Sequence, residues 1–303
     1  MTYESFKQRL ADGLREHFPD GTHISVRQFP HNNSMVLDGL TILEPGSNLS
    51  PAIYLEHYFK QYQNGVSFTA LQGQILQYYY AHCGPCHVDT SFFTCFEHIR
   101  PRIAYKLIHY EKNKELLTEV PYVPYLDLAI VFYCLLQEAP YKNSSILICH
   151  KHLEYWGINS ESLFPIAGHN TPMLLPFSCN PLADLILPSL DAFPPEEHPG
   201  IGQVLEAETV PMYVLTNRQR LNGACCILYQ DVLKQVAGRL GDSLYILPSS
   251  IHEVIAIPAS ASGNPKELSQ LVQEINIAEV APEEILSDHA YYYDRELDEV
   301  SVC

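Results

Sequence analysis

Four residues near the C-terminal third could in principle do covalent chemistry: Ser249, Ser250, His252 and Glu253. They supply the side-chain types of a nucleophile, a base and an orienting carboxylate, and Asp288 could complete the set. Hydrolysis needs a serine hydroxyl within hydrogen-bond reach of the imidazole and an acid behind it. The spacing argues against that. If 251–257 is a strand, His252 and Glu253 point to opposite faces. No G-x-S-x-G elbow accompanies them. The competing expectation is a corner between two strands, with the serines bonding turn backbone and His252 packing at a sheet edge.

A second cluster is Cys83-Gly-Pro-Cys86-His87, with Cys95 and His98 following. Cys83, Cys86, Cys95 and His98 spell C-x2-C-x8-C-x2-H, a chemically legitimate tetrahedral zinc set. The C-x-x-C pair alone matches a redox motif, but such sites open a helix after a strand, and residues 72–82 here have helical spacing. C-x-x-C-H is also the c-type haem string, which belongs outside the cytoplasm. Incidental thiols flanking a Gly-Pro turn are the alternative to zinc. His150 with His152, and Asp288, His289, Asp294 and Glu296, read as solvated polar faces. Gly238 and Gly241 end a helix instead of opening one, the wrong polarity for a phosphate loop.

The elements that must position these residues lie between Pro211 and Ala259. Met212–Thr216 and Ala224–Leu228 are short apolar runs around a polar, Gly-containing turn, so a β-hairpin is expected. Val232, Leu233, Val236, Ala237 and Leu240 recur at helical spacing and stop at Gly241. Leu244–Leu247 and Val254–Ile257 read as strands joined through Pro248-Ser249-Ser250. A helix opens at Asn264-Pro265 with Leu268, Leu271, Val272 and Ile275 as its core stripe. The order expected is ββαββα, with strands at 291–293 and 300–302.

Before this module, Tyr3–Phe18 carries Phe6, Leu10, Leu14 and Phe18 at helical spacing. Ile24–Phe29 and Met35–Leu43 read as a hairpin, Pro51–Tyr62 and Phe68–His82 as helices, and Ile103–His109 and Leu126–Leu136 as strands. Leu128–Leu136, a turn at 140–143, Ser145–Cys149 and His150–Gly157 resemble the later strand–turn–strand–helix order, a likeness of arrangement only. A short helix over Ser160–Asn170 has Asn159 or Ser160 as its cap. Prolines 172, 176, 181, 188, 194, 195, 199 and 211 disfavour long helices and central strands across 171–211. A boundary near residue 200 divides an N-terminal α+β region, 1–200, from a C-terminal module, 201–303.

The chain has 303 residues, 35 acidic and 18 basic, for a net charge of −17. The surplus is uneven: 151–211 carries 8 acidic and 1 basic side chains, and 266–303 carries 10 and 2. Two acidic segments thus flank a nearly neutral module, which suits solubility or a protein partner with a basic surface. No basic patch exists for direct nucleic-acid binding. The longest apolar run, Leu128–Leu136, is too short for a bilayer, and Met1–Phe18 lacks the apolar core of a secretory signal. Nine cysteines, several in apolar strands, fit buried thiols in a reducing cytoplasm.

Three runs, Pro211–Asn217, Leu247–Val254 and Leu286–Asp288, resemble the signature of an uncharacterised domain-of-unknown-function family of gut clostridia, often found near mobile elements. Residues 128–170 are similar in arrangement to YtpQ-type proteins, also of unknown function. The resemblance implies a bacterial cytoplasmic protein and carries over no activity. The chain is therefore read as an α+β protein of mainly antiparallel sheets and packed helices, with a helical N-terminal part. Its expected role is non-enzymatic, as an interaction or accessory protein. A hydrolase-like site at Ser249–Glu253 and a zinc-stabilised module at 83–98 are the alternatives, and no other cofactor is expected.

Overall fold

A computed structural model describes residues 1–48, 50–82, 84, 93–136, 144–185 and 210–303. The chain forms two compact units, Met1–His98 with Leu135–Ser145, and Ile99–Cys134 with Ile146–Cys303. The boundary expected near residue 200 lies outside the described residues, as do the turn at 140–143 and prolines 188, 194, 195 and 199.

The first unit begins with α1 (Tyr3–Leu14), capped where the Thr2 hydroxyl accepts from the Ser5 N–H. Phe6, Leu10 and Leu14 are fully buried, as the helical spacing requires. Strands β1 (His23–Pro30) and β2 (Val36–Leu43) pair antiparallel with Ile24 opposite Ile42. Between them Asn33 and Ser34 take left-handed backbone, which short polar side chains tolerate. The expected Pro51–Tyr62 helix is shorter. Ile53–Tyr54 forms β3 beside Gly39–Leu40, and α2 starts only at Glu56 and runs to Gln63. The β-branched Ile53 is buried against the sheet, and the Leu55 N–H is drawn to the Asp38 carbonyl at 3.0 Å. Helix α3 (Phe68–His82) follows, burying Leu71, Ile75 and Tyr79 in the same core as Phe6 and Leu40.

The second unit contains β4 (Ile103–His109), β5 (Tyr122–Tyr125) and all but the last two residues of β6 (Leu128–Leu136), with β6 antiparallel to both others. Every residue of β6 is buried, so its sequence is a continuous apolar run without alternation. Only Leu126 and Asp127 join β5 to β6, and Leu126 pays for the tight turn with φ of 54°. Strand β7 (Ser144–Leu147) leads into α4 (His150–Trp156), which ends at Gly157 in left-handed backbone. Asn159 caps the next turn by accepting from the Ser162 N–H. Helix α5 (Leu163–Leu174) then holds Pro172 in its last turn, so one proline of the dense stretch is accommodated within a helix.

The large antiparallel sheet of this unit contains β8 (Phe177–Pro181), β9 (Tyr213–Asn217), β10 (Leu244–Ser250), β11 (Glu253–Pro258), β12 (Tyr291–Asp294) and β13 (Glu299–Val302). Its spatial order is β13–β12–β10–β11–β9–β8. Pro181 therefore sits on an edge strand, where a missing N–H is harmless.

The expected ββαββα order fails at its second strand. Residues 223–228 form a 3-10 helix, and β9 pairs with β8 and β11 instead. Ala224, Cys225 and Cys226 are fully buried, and a run buried on all sides carries no period to separate strand from helix. The supposed likeness between 128–157 and 212–240 falls with that strand. Helix α6 (Val232–Leu240) closes at Gly241 as expected.

Helix α7 (Pro265–Ala278) opens with the Asn264 side chain accepting from the Lys266 N–H. Its rotation departs from the expected stripe: Val272 and Asn276 are buried, while Leu271 and Ile275 remain 41% and 39% exposed. The overall class is α+β with antiparallel sheets.

Gly223 shows how tightly this unit closes. A Cβ there would stand 2.5 Å from the His252 carbonyl oxygen and 2.9 Å from the Asn217 nitrogen, and would also meet the Thr216 hydroxyl. Backbone on two sides leaves nothing soft to yield. Gly223→Ala is expected to cost about 1–3 kcal/mol, the overpacking range. Urea unfolding monitored by circular dichroism measures it, and an unchanged midpoint would refute the close approach.

Candidate functional site

The corner that carries Ser249, Ser250, His252 and Glu253 is the β10–β11 connection. Pairing shifts register between Pro248 and Ser250, a bulge that accommodates Ser249. Ser250 pairs with Glu253 across the strands, and Ile251 and His252 form the two-residue link. The Ser250 hydroxyl accepts from the His252 backbone N–H at 3.0 Å. The imidazole Nδ1 accepts from the Asn222 N–H at 3.2 Å, which leaves Nε2 carrying the proton in the neutral ring. That nitrogen faces the Glu284 carboxylate at 3.7 Å. Around the corner, the His252 carbonyl accepts from the Thr216 hydroxyl at 2.7 Å, and the Ile251 N–H donates to the Glu284 carbonyl at 2.8 Å.

The structure thus brings Ser250 and His252 together through backbone, and gives His252 two partners, Asn222 and Glu284, that the sequence did not suggest. Glu253 opens β11 on the far side of the link. The arrangement fastens the corner to the 3-10 helix on one side and to residues 282–284 on the other.

A second polar centre lies in the same unit. Asp127, at the β5–β6 turn, accepts from the Ser287 hydroxyl and the Tyr291 hydroxyl, each at 2.7 Å. Asp288 accepts from Lys112 Nζ at 3.1 Å and from the Asn276 amide at 2.9 Å, and the same amide donates to the Ser287 carbonyl at 2.9 Å. Burial would raise the Asp288 carboxyl, but its hydrogen bonds from Lys112 and Asn276 outweigh that and hold it below the usual carboxylate range. Neighbouring His109 is buried and pushed below the ordinary imidazole range, first by burial and then by the Lys112 charge. Its Nδ1 accepts from the Lys112 N–H at 3.4 Å. The sequence pointed to Asp288 but to none of its partners, because they arrive from positions 112 and 276.

Lys106 is a further group that sequence reading missed. It lies on β4 opposite Val131, and its surroundings push the amine below the ordinary lysine range by desolvation. The buried thiols are the opposite case. Burial raises Cys134 to about 11 and Cys225 to about 12, so both stay protonated and unreactive.

Of the proposed zinc set, Cys83 and Cys86 lie outside the described residues. Cys95 and His98 are exposed on and beside the short helical turn Phe96–Ile99. Among the described residues no group of three or more His, Cys, Asp or Glu side chains could hold a metal ion. Among them, too, no helix is long and apolar enough to cross a membrane.

A family model matches residues 3–295. The chain belongs to DUF5688, a family of unknown function. No curated protein and no solved structure gives a match. DUF5688 membership spans both compact units and brings no activity with it, so the side chains described above have to carry any functional reading.

Two outcomes follow from these geometries. Because the folded Asp288 pKa is depressed, its contribution to stability is complete above the unfolded value of about 3.9 and disappears as pH falls through the lower folded value. Asp288→Asn should flatten the acid side of the thermal-midpoint profile below about pH 4; an unchanged profile would count against the Lys112–Asn276 cradle. Lys106 shares that pH direction but from a cost: its folded pKa is lowered because the charged amine is desolvated, so stability rises as pH climbs toward the unfolded value of about 10.4 and the amine neutralises. Lys106→Met should raise stability at neutral pH by about 1 kcal/mol. Calorimetry of the two proteins checks this, and a destabilised variant would contradict the desolvation account.

Proposed function

We propose that this chain is a cytoplasmic bacterial interaction or accessory protein without catalysis of its own, recruiting a partner with a basic surface. The clostridial setting and the YtpQ-like arrangement of 128–170 belong to the same proposal. The observation that carries it is where the acidic surplus sits. Residues 266–303 hold 10 acidic and 2 basic side chains. Glu267, Glu274, Glu279, Glu296, Asp298 and Glu299 are all exposed, on α7, at its C-terminal cap and around the β12–β13 hairpin. These are charges fixed on helix and sheet, and fixed charge steers and orients a complementary partner.

The Ser249–Glu253 corner supports the same reading from the other direction. The polar atoms that hydrolysis would require, the Ser250 hydroxyl and His252 Nδ1, accept backbone N–H groups that fasten the corner. An acidic surface also disfavours phosphate backbones, so the partner is a protein.

Affinity capture with the full chain from its native host tests the proposal. The expected result is one stoichiometric partner that elutes as ionic strength rises and is lost when Glu279, Glu296 and Glu299 are all changed to Lys. Isolation of the chain alone, or a partner indifferent to both salt and charge reversal, would overturn it.

A further inference from the structure

Among the described residues, helix α7 is held from one side. Ser269 accepts the Ala290 N–H at 3.0 Å, Val272 is buried, the Gln273 amide donates to the Asp288 carbonyl at 3.2 Å, and Asn276 donates to Ser287 and Asp288. At 100° per residue these four positions fall within one narrow arc. The opposite arc consists of Glu267, Leu271, Glu274, Ile275 and Ala278, and all five are exposed. Leu271, Ile275 and Ala278 follow one another at four- and three-residue steps and continue the partly buried Leu268. From Leu268 to Ala278 that apolar row is about 15 Å long. Glu267 and Glu274 form a second row beside it, seven residues apart on the same face. Lys266, the basic side chain of this helix, lies outside that arc.

We propose that this outer face of α7 docks a basic amphipathic helix of a partner protein, an assignment that rests on the interaction reading above. The periodic apolar row is the ridge that a second helix packs against, and the acidic row selects Lys or Arg along the partner's flank. A second copy of the chain is a poor occupant. It would bring Glu267 and Glu274 against their own equivalents in a protein of net charge −17. An anionic membrane or a nucleic acid meets the same repulsion.

The experiment is selection of displayed random peptides, about 15 residues long so that they can form four helical turns, on the immobilised full chain. Their affinities are then measured by fluorescence anisotropy. Enriched peptides should place Leu, Ile or Phe at three- and four-residue steps beside Lys or Arg. Their Kd should rise at least about tenfold for Leu271→Glu with Ile275→Glu, and likewise for Glu267→Lys with Glu274→Lys. Circular dichroism confirms that each variant is folded; should the apolar pair unfold, the charge-reversal pair decides alone. Acidic or patternless peptides, or equal affinity for the variants, overturn the proposal. So does a dimer in sedimentation that Leu271→Glu abolishes, since the occupant is then a second copy. If native capture of a partner survives the α7 variants, the docking face is wrong while the wider reading stands.

Discussion

The rotation of α7 depends on one side chain. Asn276 is buried and donates both amide hydrogens to the Ser287–Asp288 segment. A buried amide left without acceptors costs more than a modest apolar contact returns, so the helix turns to satisfy it. That choice moves Leu271 and Ile275 outward and puts Val272 at the sheet. Hydrophobicity alone predicts the other rotation. The surface α7 shows to solvent is thus a by-product of a buried polar requirement elsewhere in the unit.

The same segment ties together parts of the chain far apart in sequence. Asp127 receives hydroxyls from Ser287 and Tyr291, and Glu284 meets the β10–β11 corner through its carbonyl and its carboxylate. Residues 284–291 therefore act as a seam along the second unit, with a polar anchor at either end. The Asp127 anchor consists of charge-assisted hydrogen bonds, which are stronger than neutral ones, and the Glu284 anchor of a backbone hydrogen bond beside a carboxylate–imidazole approach.

Much of the fold could be read from periodicity. Phe6, Leu10 and Leu14 specify α1; the runs around His31–Ser34 specify the first hairpin; Phe68–His82 and Ile103–His109 match their elements end for end. What failed lay where burial is complete or polar groups are buried. Residues 224–227 have no amphipathic signal because all of them are buried. Ile53 and Tyr54 were absorbed into a neighbouring helix because two residues are too few to show alternation. The candidate corner was legible as a turn between strands, but Asn222 and Glu284, the partners of His252, are set by tertiary approach from 30 and 32 positions away. Asn276 carries no mark in the sequence that separates it from a surface residue of an amphipathic helix.

Among the described residues the large sheet stops at β8 on one side and β13 on the other. Open flanks of this kind invite further chains to join by main-chain pairing, the first step toward fibrous assembly. Here the flanks are blunted. One is only five residues long and finishes in Pro181, which has no hydrogen to offer an incoming strand. The other is four residues long and begins with the exposed carboxylate of Glu299. Brevity, an imino acid and a charge at these two margins disfavour the joining of a further strand, in a chain with many buried β-branched and aromatic residues.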